Sequence, residues 1–267
     1  MATEIAEALL EMHFYRPLRD LLEQHFGRKV LRILKPTQNE EAFLGFDLAW
    51  VQPAESRIGP KSIQIDLKNF LAASSTCVPS LFLGYFLQFK VVSKVRGKAK
   101  AMPTGLRSPF LRSELSLKPN TRTRVSQHET LLKLSKLDKT DVSYACPMVL
   151  NQDDLHADPS LDDLRIVPVT NAPSGYASND RHFIAFQTKT SEALWCSDPV
   201  LAGARTPRQW VEHLPTMDAR EVDGWVRRVR SVVESNDSFR GGGGLYPYSM
   251  TLVALGEVTR EATTAHA

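Results

Sequence analysis

Two stretches decide how this chain is read: Gly45-Phe46-Asp47-Leu48-Ala49-Trp50-Val51 and Tyr85-Phe86-Leu87-Gln88-Phe89-Lys90-Val91-Val92. The first reads as an apolar strand that opens on an acid. Along the second, successive side chains of a strand point to opposite faces, so Phe86, Gln88 and Lys90 share one face while Leu87, Phe89 and Val91 share the other. If the two strands are neighbours, a carboxylate, a neutral oxygen and an ammonium surround one spot. Such a set suits a divalent cation and its water held against a phosphodiester.

Working outward, residues 3–26 read as a helix with Thr3 as N-cap, an Ile5/Leu9/Met12 stripe that Leu10 and Phe14 could extend, a kink or break at Pro17 and an end at Gly27. Residues 29–34 read as a short strand or helix end. A strand over 62–68 puts Ser62, Gln64, Asp66 and Lys68 on one face. Residues 94–108 read as a basic loop and 109–117 as a short strand. Ser126 to Leu137 carries a helix signature: Ser126 as cap, Glu129 three positions on, then Leu131, Leu132, Leu134 and Leu137 as its buried face. The strand 142–149 would close a βαβ-like unit. Further on, strands are expected at 165–169 and 182–187, with 194–196 continuing the latter, and helices at 207–213 and 218–237. Arg240 and the four glycines after it read as a hinge, and 259–267 as a frayed end.

With 267 residues, 42% hydrophobic and 24% charged, the chain has the composition of a soluble globular protein with ample core. The net charge of +3 decides little, but its distribution says more. From Lys90 to Lys139 thirteen cations face three carboxylates, among them Lys94, Arg96, Lys98, Lys100, Arg112 and Arg124, a local excess that suits a polyanion as well as a solvated face. Three widely spaced cysteines, Cys77, Cys146 and Cys196, with no Cys-x-x-Cys, support neither a disulfide framework nor a zinc knuckle, and point to the cytoplasm. The first residues lack the basic-then-apolar pattern of a signal peptide. The apolar run Val78 to Phe89 is interrupted by Pro79, Ser80, Gly84 and Gln88 and is too short for a bilayer, so no membrane association is expected.

Helix, strand, Asp-bearing strand, x-Lys strand, helix and strand make an α-β-β-β-α-β order. At Asp47, Gln88-Phe89-Lys90 and Gln127 the chain resembles the PD-(D/E)xK restriction-endonuclease-like superfamily of nucleases, some branches of which place Gln where the motif has an acid. Gly45-Phe46-Asp47, Gln88-Phe89-Lys90, Gln127-His128 and the 142–147 segment also resemble an uncharacterised bacterial group, as do Arg181-His182 and Ser197-Asp198-Pro199. The resemblance covers roughly residues 1–200. It implies an α/β fold with a mixed sheet and flanking helices, a nuclease-like core over 1–150 and a C-terminal extension over 151–267 packed on it.

It further implies a Mg²⁺- or Mn²⁺-dependent nuclease acting on DNA, or on RNA, in a bacterial anti-phage or restriction-type system, as a homodimer or with a protein partner. Asp47 and Gln88 would hold the metal. Lys90 would stabilise the attacking hydroxide or the phosphate charge, and Gln127 or Arg112 would touch a phosphate. A helix Glu would complete the site, with Glu11 and Glu41 ahead of Glu4 and Glu7. Asp66 and Lys68, 19 residues after Asp47 on their own patterned strand, form an alternative acid-x-Lys pair that would replace Gln88 and Lys90. A nuclease-like module that binds nucleic acid without cutting it, or an interaction subunit of a defence complex, is the alternative function.

Plainer readings stand beside these. Asp47 is also readable as a satisfied strand carboxylate, Lys90 as the first cation leaving a sheet, and His182 as a strand-edge residue. Cys146, Trp210 and Trp225 read as core.

Overall fold

The computed structural model describes residues 5–35, 69, 77–96, 105–115, 126–151, 153–173, 182–196, 200–235 and 250–258. The expected strands at 46–51 and 62–68, the hinge at 240–244 and the end at 259–267 lie outside the described residues, as does Thr3.

Helix α1 (Glu7–Phe26) opens the fold and strand β1 (Lys29–Leu34) follows it. The helix starts four residues later than the periodicity suggests and carries Pro17 in its interior without ending there. An interior proline forfeits one backbone hydrogen bond. Burial of Leu10, Phe14, Leu18, Leu21 and Leu22 along one face offsets that loss. Gly27 ends the helix as expected, in the left-handed region at φ 61°, with its N–H donating to the Glu23 carbonyl.

Strand β2 (Cys77–Phe89) is the spine of the molecule. It is longer than the 85–92 segment read from the sequence because two apparent breakers are accommodated. Pro79 pairs with Gly256 beside a bulge in β2 itself, where Ser80 is the extra residue between the Leu81–Leu255 and Pro79–Gly256 pairs, and a proline is tolerated at such an irregularity. Gly84 lies under the indole of Trp225, and a Cβ there would be 2.4 Å from the ring. At its other end β2 stops at Phe89, and β3 (Val92–Val95) begins in another sheet.

The remaining elements are β4 (Phe110–Glu114), α2 (Gln127–Leu134), β5 (Asp141–Pro147), β6 (Leu164–Pro168), β7 (Phe183–Phe186), β8 (Ala193–Cys196) and β9 (Val200–Leu201). They continue with α3 (Pro207–Glu212), β10 (Thr216–Met217), α4 (Ala219–Ser235) and β11 (Met250–Val258). The first sheet runs β1-β11-β2-β5-β6, with the short β10 also on β2. It is mixed: β2 and β5 are parallel, and the other pairings are antiparallel. The second sheet, β3-β4-β7-β8-β9, is antiparallel throughout. Here β8 does not extend β7 but folds back on it, through a turn tied by Thr188 and Ser191.

One face of the first sheet, with Leu83, Tyr85, Leu87, Phe89 and Val253, packs on α1 and α3. The opposite face, with Phe86, Val142, Tyr144 and Cys146, packs on α2, α4 and the inner face of the second sheet. The alternation read along 85–91 is therefore realised, with two different layers receiving its two faces. Helix α2 bears the expected capping box: Ser126 Oγ accepts from the Glu129 N–H, and the Glu129 carboxylate accepts from the Ser126 N–H. Trp210, Trp225 and Cys146 are buried as expected. The described chain is thus a mixed α/β protein. No described helix is long and apolar enough to cross a membrane.

Candidate functional site

Strands β2 and β5 run parallel and in register, Gln88 beside Tyr144 and Phe89 beside Ala145. Lys90 lies one residue past the end of β2, its N–H still donating to the Ala145 carbonyl at 2.9 Å. The carboxyl ends of parallel strands are where open α/β sheets place their ligands. The first turn of α2 reaches this end too, through Gln127.

Four side chains from three elements form a chain of hydrogen bonds there. Lys90 Nζ donates to Glu7 Oε1 at 2.8 Å. Gln88 Nε2 donates to Glu7 Oε2 at 3.1 Å and to its neighbour's carbonyl, Phe89 O, at 3.1 Å. Gln127 Nε2 donates to Gln88 Oε1 at 2.9 Å. The Lys90 side chain is 7% exposed and that of Glu7 42%, so the ammonium is withdrawn from water while its counter-charge keeps contact with it. A nearly buried ammonium is tolerable only when paired. Gln88 uses both ends of its amide and joins helix α1 to helix α2 across the strand end.

Of the two described glutamates considered from sequence, Glu7 and Glu11, Glu7 is the one brought to Lys90, and Glu4 lies outside the described residues. Glu11, favoured with Glu41, instead pairs with Lys35. The two glutamates are one helical turn apart, so periodicity alone does not separate them; which one meets β2 depends on how α1 lies along the sheet. Asp47, Glu41, Asp66 and Lys68 lie outside the described residues.

The basic stretch divides. Lys94 and Arg96 are exposed at the end of β3, an edge strand of the second sheet. Arg112 alternates with Ser113, whose neighbours Leu111 and Leu115 face the first sheet. Arg112 therefore turns outward, pairing with Glu114 at 2.8 Å and lying 5.6 Å from the Phe183 ring centroid. It does not share the Gln88/Lys90 cluster. Lys98, Lys100 and Arg124 lie outside the described residues.

Behind the chain of bonds is a buried aromatic cluster that sequence reasoning missed. His128 Nδ1 and the Tyr144 hydroxyl are 2.8 Å apart, and Trp195 from β8 lies 6.1 Å from each ring. His128 is 2% exposed. Burial first, and the nearby His182 second, lower its pKa to about 4, so its ring is neutral at pH 7. Cys146, on the same face of β5 beside Ser113, has its thiol pushed up to about 12 by burial and is no nucleophile. The signal for the cluster was present: the Ser126/Glu129 capping box fixes His128 in a helix's first turn, and Tyr144 falls on the inward parity of its strand.

Among the described residues no three His, Cys, Asp or Glu side chains converge as a metal cage. Among the described residues, the oxygens at the strand end include the Glu7 carboxylate and the Gln88 amide. Both are hard donors, and Mg²⁺ is commonly held by one or two carboxylates with the rest of its shell water. The donor types fit such an ion. Neither a family model, nor a curated protein, nor a solved structure matches the chain.

Proposed function

We propose that this chain is a Mg²⁺- or Mn²⁺-dependent nuclease that hydrolyses phosphodiester bonds in DNA, built on a restriction-endonuclease-like core. The observation that carries the reading is the meeting of Gln88, Lys90 and Gln127, singled out by motif, with a carboxylate from the N-terminal helix at the end of two parallel strands. Residues so far apart in the chain have no local reason to converge there.

A bound divalent ion would supply a polarised water and charge neutralisation at the phosphate. Glu7 and Gln88 would hold it, with Asp47 as a second carboxylate. Lys90 would donate from Nζ to a non-bridging phosphate oxygen, where negative charge grows during attack. Gln127 keeps the Gln88 amide oriented, and Lys94 and Arg96 are exposed cations for the flanking backbone. The resemblance supplies the setting, a bacterial anti-phage or restriction-type system.

A second reading is favoured by the ion pair itself. Lys90 is already neutralised by Glu7 and largely covered, as in a nuclease-like module that binds nucleic acid without cutting. Incubating the protein with plasmid, linear DNA and RNA in Mg²⁺ or Mn²⁺ separates the two. Metal-dependent cleavage supports the nuclease. Binding that weakens steeply with salt, without cleavage, supports the module.

A further inference from the structure

We infer that Tyr144 and His128 are positioning residues that clamp the first turn of α2 onto the parallel strand pair and so set the Gln127 carboxamide against Gln88. As a role at this site, the inference rests on the reading of Gln88 and Lys90 as functional; as geometry, it stands independently.

The clamp is a closed loop of contacts. Gln88 on β2 and Tyr144 on β5 are register partners in a parallel pair, so both side chains rise from the same face of the sheet. The Tyr144 hydroxyl meets His128 Nδ1 at 2.8 Å. His128 follows Gln127 in the chain, and Gln127 returns to Gln88 Oε1 at 2.9 Å. The His128 and Tyr144 rings stack at 6.0 Å with 8° between their planes, and Trp195 tilts against both. The capping box fixes the turn's backbone at Ser126 and Glu129, and Leu131 and Leu134 anchor the next turns in the core. The Tyr144–His128 bond ties the first turn itself to the sheet on the inward side.

A long, unbranched Gln side chain has several rotamers open to it, and holding one requires its base to be fixed. Loss of the hydroxyl alone therefore loosens Gln127, then Gln88, then the Gln88–Glu7 contact, while the packed rings remain. Neither Tyr144 nor His128 is assigned contact with substrate or metal.

The test uses the full chain carrying Tyr144→Phe, His128→Leu and, as conservative rescue, His128→Asn, whose side-chain nitrogen lies near the Nδ1 position. The side-chain amide signals of Gln88 and Gln127 are followed by ¹H–¹⁵N NMR, beside thermal melting and plasmid cleavage in Mg²⁺. The expected result is that both amide signals move in Tyr144→Phe and His128→Leu and return toward wild type in His128→Asn. Where the wild type cuts DNA, kcat falls about tenfold in the first two variants with KM unchanged. Unmoved amide signals in a folded Tyr144→Phe protein overturn the clamp, as does a His128→Asn spectrum no closer to wild type than that of His128→Leu. Shifted amides with no cleavage by the wild type leave the clamp standing and refute the nuclease instead.

Discussion

Glu7 and Lys90 lie 83 positions apart in the chain and meet at 2.8 Å, the carboxylate half in water and the ammonium almost wholly out of it. The pair is asymmetric, and so are its consequences. Removing the carboxylate (Glu7→Ala) strands a covered cation, with an expected cost of about 2 kcal/mol in unfolding free energy. Removing the cation (Lys90→Met) keeps a chain of similar length in the covered position and leaves a carboxylate that water can solvate. Its expected cost is within about 1 kcal/mol. Urea unfolding of the two variants checks the order; equal losses would mean that the two groups are covered alike.

Gly84 is required by the ring above it. A Cβ there would lie 2.4 Å from Trp225, whose indole N–H donates to Thr140 Oγ1 at 2.8 Å and so resists displacement. Gly84→Ala is expected to destabilise by about 3 kcal/mol. Adding Trp225→Leu should recover part of that loss, making the double variant less unstable than the sum of the singles. Chemical denaturation of the four proteins measures the coupling.

The same strand shows what was legible and what was not. The alternation of 85–91, the Ser126 cap, the Gly27 stop and the two core tryptophans could all be read, because each is a local rule obeyed locally. The first half of β2 could not. Pro79 and Gly84 look like breakers until β11 pairs across the bulge at Ser80 and the Trp225 ring is in place, and both partners come from the far end of the chain. Strand β11 escaped for a related reason. Its Met250, Leu252 and Ala254 face one core and Val253 and Leu255 the other, so a strand buried on both sides shows no alternation. In the site, the Gln88, Lys90 and Gln127 cluster was foreseeable from motif order. The choice of Glu7 over Glu11 rested on how a helix lies across a sheet, which no residue pattern states.

Neutral, buried His128 makes stability depend on acid. Its folded pKa of about 4 lies below the ordinary 6.5, so between these values the unfolded chain binds a proton that the folded chain refuses. Stability is fully present above about pH 6.5 and falls as the pH drops toward 4, by roughly 3 kcal/mol in all. Urea midpoints across that window should fall more steeply for wild type than for His128→Asn, which does not titrate there. Parallel profiles would assign the acid sensitivity to other groups.

Asp141 is a partly buried acid at the opposite end of β5. Burial raises its pKa, opposed by donors from Trp210 Nε1 and Ser143 Oγ, both 2.9 Å from the same oxygen. Trp210→Phe keeps an aromatic ring and deletes one donor. It should cost about 2 kcal/mol at pH 7. The deficit should shrink in acid as the carboxyl protonates, because the lost bond served its charged form. A deficit independent of pH would make Trp210 a packing residue alone.

The most direct measurement is plasmid cleavage in Mg²⁺ by wild type and Lys90→Met, with DNA affinity followed in parallel. The account predicts metal-dependent cutting by wild type, a rate at least roughly 100-fold lower in the variant, and little change in affinity. Undiminished cutting by a folded Lys90→Met protein, or no cutting by wild type in Mg²⁺ or Mn²⁺, would contradict it.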